Sequence, residues 1–232
     1  MDERLQKREL RKKATGEVMT PPWLAQQMLS KIPDSVWADP SKTLLEPSCG
    51  DGIFVCLSIK KRLSLGVSIE VAIRNTYAID IMEDNICECR LNVFVIIRDN
   101  MRQSVRSGQQ TEKEAYQQTL LLTAILFHNV RVTKDTLSEN FDEWKTFDEE
   151  SELVKRNFMK MAEKSIPVAI KKLEGREAVK QTPENVGQPV RQLDFPETKE
   201  IAEKTKRVVR KVLVKPQPQP TKPFVSQEYL FQ

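Results

Sequence analysis

Two stretches carry residues whose types and spacing suit the handling of a small molecule. The first is Leu45-Glu46-Pro47-Ser48-Cys49-Gly50-Asp51-Gly52, a short apolar run that ends in an acid and a glycine turn. The second is Thr76-Tyr77-Ala78-Ile79-Asp80-Ile81, a strand-like run that ends in a carboxylate. At the carboxyl end of a parallel strand, glycines let the backbone approach a ligand closely. An acid that ends the next strand is placed to accept hydrogen bonds from ribose hydroxyls. Asp80 stands about 28–30 residues beyond the glycines, long for a dinucleotide fingerprint but compatible with an inserted helix. Val55 stands where a third glycine would come, and the turn lacks the lysine of a phosphate-gripping loop. The pattern therefore favours a ligand with a ribose and no phosphate chain, a description that S-adenosylmethionine meets.

These residues need strands and helices to hold them. Thr20 is placed to cap a helix that Pro21 and Pro22 open, with Trp23, Leu24, Met28 and Leu29 as its apolar stripe. A strand is expected at 43–45, a buried helix from Ile53, a helix over 67–74 and a second strand over 76–81. A long amphipathic helix over 83–106 follows, with Ile86, Val93, Ile97 and Met101 on one side. A helix over 113–127 and a short strand over 129–132 complete the series. Strands that alternate with helices imply an α/β fold with a parallel sheet flanked by helices. Three strands are few for such a domain, so the sheet is expected to be incomplete. Beyond it, 149–164 reads as a helix with Leu153, Phe158 and Met161 as a thin apolar stripe. The expected organisation is a cofactor-binding domain over 1–145, a helical extension over 146–180, and a linker, basic helix and docking peptide over 181–232.

Composition narrows the classes. Apolar residues make up 39% of the 232, low for a chain packed throughout, and the deficit lies in the C-terminal third. The net charge of +4 permits a nucleic-acid partner without requiring one. Cys49, Cys56, Cys87 and Cys89 form no C-x-x-C framework, and His128 is the only histidine. Free thiols in a reducing cytoplasm are the expectation, with no metal site. The first residues are charged and lack the apolar core of a signal peptide, and no apolar run reaches membrane-spanning length.

Three blocks taken in order are more specific than either stretch alone. Gly16-Glu17-Val18-Met19-Thr20-Pro21-Pro22, then Leu45 to Phe54, then Tyr77-Ala78-Ile79-Asp80-Ile81-Met82-Glu83-Asp84-Asn85 resemble the N6-adenine DNA methyltransferases. The resemblance is to the subclass whose cofactor motifs precede the catalytic one, and it covers residues 12–137. It implies a Rossmann-like, methyltransferase-type sheet. It also implies that Thr20 and Pro21 line the methionine end of S-adenosylmethionine, and that Glu46, Ser48, Gly50 and Gly52 form the loop beneath it. By the same resemblance Asp80 holds the ribose, Ile81 packs on the adenine, and Asp135 faces the adenine amino group. Lys134 departs from the pattern, which has glycine there.

The catalytic motif of that family does not follow. Flipping an adenine out and accepting its amine hydrogens needs a polar side chain, two prolines and a stacking aromatic. Asn140-Phe141-Asp142-Glu143-Trp144 resembles the approach to such a motif, but no Pro-Pro follows. The expectation is a methyltransferase-like protein that acts on or near DNA without transferring methyl by itself, as an adaptor or subunit. Two alternatives stay open: an active enzyme with a degenerate or partner-supplied acceptor site, and a small-molecule enzyme that uses S-adenosylmethionine. The basic run from Lys204 to Lys215 reads as a solvated helix face or a contact to DNA phosphate. After the spacer from Pro216 to Pro223 comes Gln227-Glu228-Tyr229-Leu230-Phe231, which resembles the peptide that docks replication proteins on the sliding clamp. Leu230 and Phe231 would be its apolar anchors and Gln227 its polar rim contact.

Overall fold

The computed structural model describes Lys13 and residues 18–180, with the side chains of 176–180 left aside. The expectations for 181–232, including Gln227, Leu230 and Phe231, lie outside the described residues. In chain order the elements are α1 (Pro22–Leu29), α2 (Asp34–Ala38), β1 (Leu44–Glu46), α3 (Ile53–Ser64), α4 (Ile69–Arg74), β2 (Thr76–Asp80), α5 (Glu83–Arg106), α6 (Glu112–Asn129), β3 (Val130–Val132) and α7 (Glu152–Lys180). Two single turns of 3-10 helix, Phe141–Glu143 and Phe147–Glu149, lie between β3 and α7.

The three strands form one parallel sheet in the order β1-β2-β3, with Leu45 opposite Tyr77, and Ile79 opposite Arg131. Parallel neighbours need long crossovers, and here helix pairs supply both of them: α3 and α4 between β1 and β2, α5 and α6 between β2 and β3. Ala78 and Val130 are buried in the main core with Val55, Ile59, Ile73, Ile86, Val93 and Ile97. Ile86, Val93, Ile97 and Met101, the expected stripe of α5, are all buried. The α/β character and the parallel sheet with helices about it are as the sequence implies.

Local chemistry sets the boundaries. Ser68 caps α4 by accepting from the Val71 N–H, and Thr111 with Glu114 forms a reciprocal capping box at the start of α6. Thr20 does not cap α1. Pro21 occupies that position in extended backbone, and no side chain bonds the helix start. Of the stripe expected on α1, Trp23 and Met28 are exposed and Leu24 and Leu29 partly buried, and only Ala25 of this helix is fully buried.

Helix α7 is longer than the pattern over 149–164 implies and runs through Pro167. A proline inside a helix removes one backbone bond, but packing on both sides holds α7 together. Ala162 sits in the main core, and Ile166 and Leu173 form a second cluster with Leu91 and Phe94 of α5. Leu153 is exposed rather than part of that contact. Among the described residues no helix is long and apolar enough to cross a membrane.

Candidate functional site

The two sequence blocks meet at the carboxyl ends of β1 and β2. The Cys49 N–H donates to the Ile79 carbonyl at 3.0 Å, which extends the β1–β2 pairing into the glycine turn. One residue on, the Gly50 N–H donates to Asp80 Oδ2 at 2.9 Å. Asp80 Oδ1 accepts from the Met82 N–H at 2.8 Å, at the start of α5. The Asn85 side-chain amide adds a bond to the same oxygen at 3.4 Å. Asp80 thus ties the turn after β1 to the helix after β2. It is buried, and Oδ2 keeps a lone pair beyond the Gly50 bond for a further donor.

The two glycines do different work. Gly50 has φ +53°, and a Cβ there would lie 3.5 Å from the Met19 sulfur. Met19, in the first sequence block, therefore lies over the turn that the second block builds. Gly52 has φ +88°, and a Cβ there would lie 2.6 Å from Cys89 Sγ and 3.0 Å from Cys89 Cα. This glycine lets the turn close against α5. Cys49 and Cys89 are buried side by side beneath it, and their mutual hydrogen bond together with burial raises the Cys89 thiol well above its ordinary value. Burial pushes the Cys56 thiol up to about 12. All four cysteines are free.

Around this turn stand the other candidates. Glu46 is half-buried, and desolvation raises its carboxyl above the ordinary range despite the Ser48 N–H that it accepts at 3.3 Å. No cation pairs with it among the described residues. Ser48 is exposed, and Thr20 and Pro21 are partly buried. Ile81, next to Asp80, is 52% exposed, unusual for an isoleucine beside a buried strand. On β3 the ladder continues past the strand, with the Thr133 N–H donating to the Asp80 carbonyl at 3.0 Å. The Thr133 hydroxyl pairs with Glu139. Asp135 is exposed, and its carboxylate accepts from the Leu137 N–H at 2.9 Å. Glu46, Gly50, Asp80 and Thr133 thus share the edge where parallel sheets gather ligands. The sequence reading gave Met19 and Cys89 no role. Their signal lies in long-range packing, which motif spacing does not carry. Among the described residues no group of three or more His, Cys, Asp or Glu side chains is arranged to hold a metal ion.

Comparison with protein-family models, with curated proteins and with solved structures finds no match to this chain.

From Glu139, which meets Thr133 at the carboxyl edge, the chain runs so that residues 144–150 reach the opposite end of the sheet. Trp144 meets Tyr77 edge-on at 6.1 Å, and Arg131 lies over its ring at 3.9 Å. Asp148 pairs with Arg74 at 2.8 Å, just before β2 begins. Glu150 meets His128 Nε2 at 3.2 Å, just before β3 begins. Burial holds the His128 imidazole below its ordinary range, against the pull of Asn129 and Glu150. Burial also brings the Arg131 guanidinium down to about 10, and Glu150 opposes the fall. Asn129 completes the cluster with bonds to the Ile73 and Arg74 carbonyls at 3.2 and 3.0 Å. These side chains are committed to one another and clamp the amino ends of β2 and β3.

Proposed function

We propose that residues 18–135 form a methyltransferase-type site for S-adenosylmethionine, and that the chain acts at DNA as an adaptor or subunit without transferring methyl by itself. The observation that carries this reading is the Gly50–Asp80 bond, which joins two of the three methyltransferase-like blocks at the carboxyl ends of adjacent parallel strands. In this reading the ribose hydroxyls donate to the free lone pair on Asp80 Oδ2, and the adenine lies on the exposed Ile81. Glu46 is a carboxylate held half-desolvated with no cation beside it, and it gains a partner in the positively charged end of the ligand. Strained or desolvated carboxylates at a strand-end crevice favour a binding role over a purely structural one.

The reading without transfer rests on the missing Pro-Pro-aromatic motif after Asn140. Targeting to DNA would fall to the peptide that contains Gln227, Leu230 and Phe231, docked on a sliding clamp.

Calorimetry with S-adenosylmethionine tests the pocket. Asp80→Ala should weaken binding by about 1.5–3 kcal/mol, the worth of a hydrogen bond to a charged acceptor. Asp80 also supports the turn, so Ile81→Ala is the companion. It should cost about 1 kcal/mol of affinity through lost apolar contact and leave the melting temperature in place. No heat with the wild-type protein would end this reading. N6-methyladenine formed by the purified chain above a Gly50→Arg control would end the claim that it transfers no methyl.

A further inference from the structure

Helix α7 divides its cations between two settings. Over residues 152–175 they are Lys155, Arg156, Lys160, Lys164, Lys171 and Lys172. Two have partners: Lys155 pairs with Glu152 and Lys172 with Glu88, each at 3.2 Å. Arg156, Lys160, Lys164 and Lys171 are exposed, and none of them has an ion-pair partner among the described residues. At 3.6 residues per turn these four fall within about 80° of the helix surface and along about 22 Å of its length. Ala162, Ile166 and Leu173 hold the opposite side of α7 in the two cores, so the stripe faces outward. Arg156 with Lys160, and Lys160 with Lys164, are like charges four residues apart, which works against a helix. The exposed acids of this stretch, Glu152, Glu163 and Glu174, all lie toward one margin of the stripe.

We propose that this stripe is a contact surface for the phosphate backbone of duplex DNA. A column of cations that its own helix does not neutralise takes its counter-charges from outside, and a polyanion supplies them in a row. Duplex DNA presents about 13 phosphates over about 22 Å. The side chains between the cations narrow the partner. Leu153 and Pro167 are the exposed apolar residues of this face, and no exposed residue of α7 over 152–175 is aromatic. A helix that lies on a membrane carries Trp, Phe or Leu along its apolar side. Single-stranded nucleic acid is held by aromatic platforms on which bases stack. The stripe has neither, and cations of this kind position a protein on a duplex without reading its sequence. The inference rests on the reading that the chain acts at DNA, and it draws on neither the S-adenosylmethionine site nor the clamp peptide.

Fluorescence anisotropy with the full chain, a short labelled duplex and no clamp tests this over a series of salt concentrations. Each phosphate neutralised adds about 0.9 to the slope of log affinity against log salt. Arg156→Gln, Lys160→Gln, Lys164→Gln and Lys171→Gln together should lower that slope by about 3 and weaken binding at least about tenfold near 0.1 M salt. The four side chains lie outside both cores, so the variant should keep the wild-type melting temperature. The control removes the same charge elsewhere. Lys31, Lys42, Lys113 and Lys145 are exposed and off α7, and their joint change to Gln should move the slope by less than about 1. Three results would overturn the proposal. One is no binding of the duplex by the wild-type chain. Another is an equal change of slope in the two variants, which reduces the effect to net charge. The third is tighter binding to anionic vesicles or to a single strand than to the duplex, which assigns the stripe to a different partner. Each of these leaves the cofactor site and clamp docking standing, since neither takes part in the measurement.

Discussion

The two ends of the sheet are built on opposite plans. At the amino ends, side chains do the holding: Asn129 to the Ile73 and Arg74 carbonyls and to His128, Arg74 to Asp148, Arg131 against Trp144. At the carboxyl ends backbone N–H groups and one side chain, Asp80, do the holding. Cys49 and Gly50 donate main-chain N–H groups to Ile79 and Asp80, and Gly52 closes on Cys89. Glu46, Ile81 and Asp135 are left on the rim. An edge that commits its side chains internally is a clamp. An edge that builds itself from backbone keeps side chains available to something else. Substitutions can therefore tell the ends apart: at the amino ends the buried side chains should be costly to remove, and at the carboxyl ends only the glycine positions and Asp80 should be.

The largest effect should come from Gly52→Val. The left-handed backbone costs a non-glycine residue about 1–2 kcal/mol, and forcing a Cβ against the Cys89 backbone adds about 1–3 kcal/mol. Urea unfolding should show stability lowered by about 4 kcal/mol in total. Gly66→Ala is the control. Gly66 has φ +83° but nothing within 4 Å of its would-be Cβ, so it should lose only about 1 kcal/mol. Equal losses at the two positions would mean that conformation alone, and not the close approach to α5, explains Gly52.

That pair also shows what the sequence could and could not tell. Gly50 and Gly52 are visible as a turn, and Asp80 as a strand-end acid, because each follows from local spacing. That Gly52 faces Cys89 while Gly50 faces Asp80 follows from the angle at which α5 crosses the turn, and no local pattern holds that. The span of α5 was legible to the residue because its apolar period is unbroken from Ile86 to Met101. Helix α7 runs past the thin stripe over 149–164, and what sustains it beyond Pro167 is tertiary contact with Leu91 and Phe94. Trp23 and Met28 have helical spacing, and spacing alone does not say which way a stripe faces. The position of Trp144 at the amino ends was likewise hidden, since it depends on a chain reversal between β3 and α7.

At the clamp, Asn129→Leu should cost about 3 kcal/mol. It strands the Ile73 and Arg74 carbonyls and one His128 nitrogen in a buried place, and unmet buried partners carry about 1–3 kcal/mol each. Thermal or urea unfolding gives the number. A loss below 1 kcal/mol would show that water replaces the amide and that the amino ends are less committed than their distances suggest.

A smaller effect tests which contacts of the 140–150 segment matter. Asp148 is 69% exposed although it pairs with Arg74 at 2.8 Å. Exposed ion pairs contribute about 0–1 kcal/mol, so Asp148→Ala should lower stability by about 0.5 kcal/mol. Phe147 is buried against His128 and Phe158, so Phe147→Ala should lower it by about 3 kcal/mol or more. The reverse order would make the segment an ionic latch, sensitive to salt, rather than one held by its rings.

The smallest effects carry the most weight for function. Ile81→Ala and Asp135→Ala should move stability by no more than about 0.5 kcal/mol, since neither side chain is packed in the core. Glu46→Gln should do better than neutral. Burial raises the folded carboxyl above its ordinary value, so the folded chain binds the proton more tightly than the unfolded chain does. That contribution is fully present in acid and is lost as pH rises through the carboxylate range. Wild type should therefore lose stability relative to Glu46→Gln as pH climbs from 4 to 7, and the variant should be the more stable at neutral pH. On the proposed reading, the positive end of the ligand offsets that cost. If Glu46→Gln proves destabilising at neutral pH, the carboxylate is serving the turn, and the contrast between the two ends of the sheet collapses.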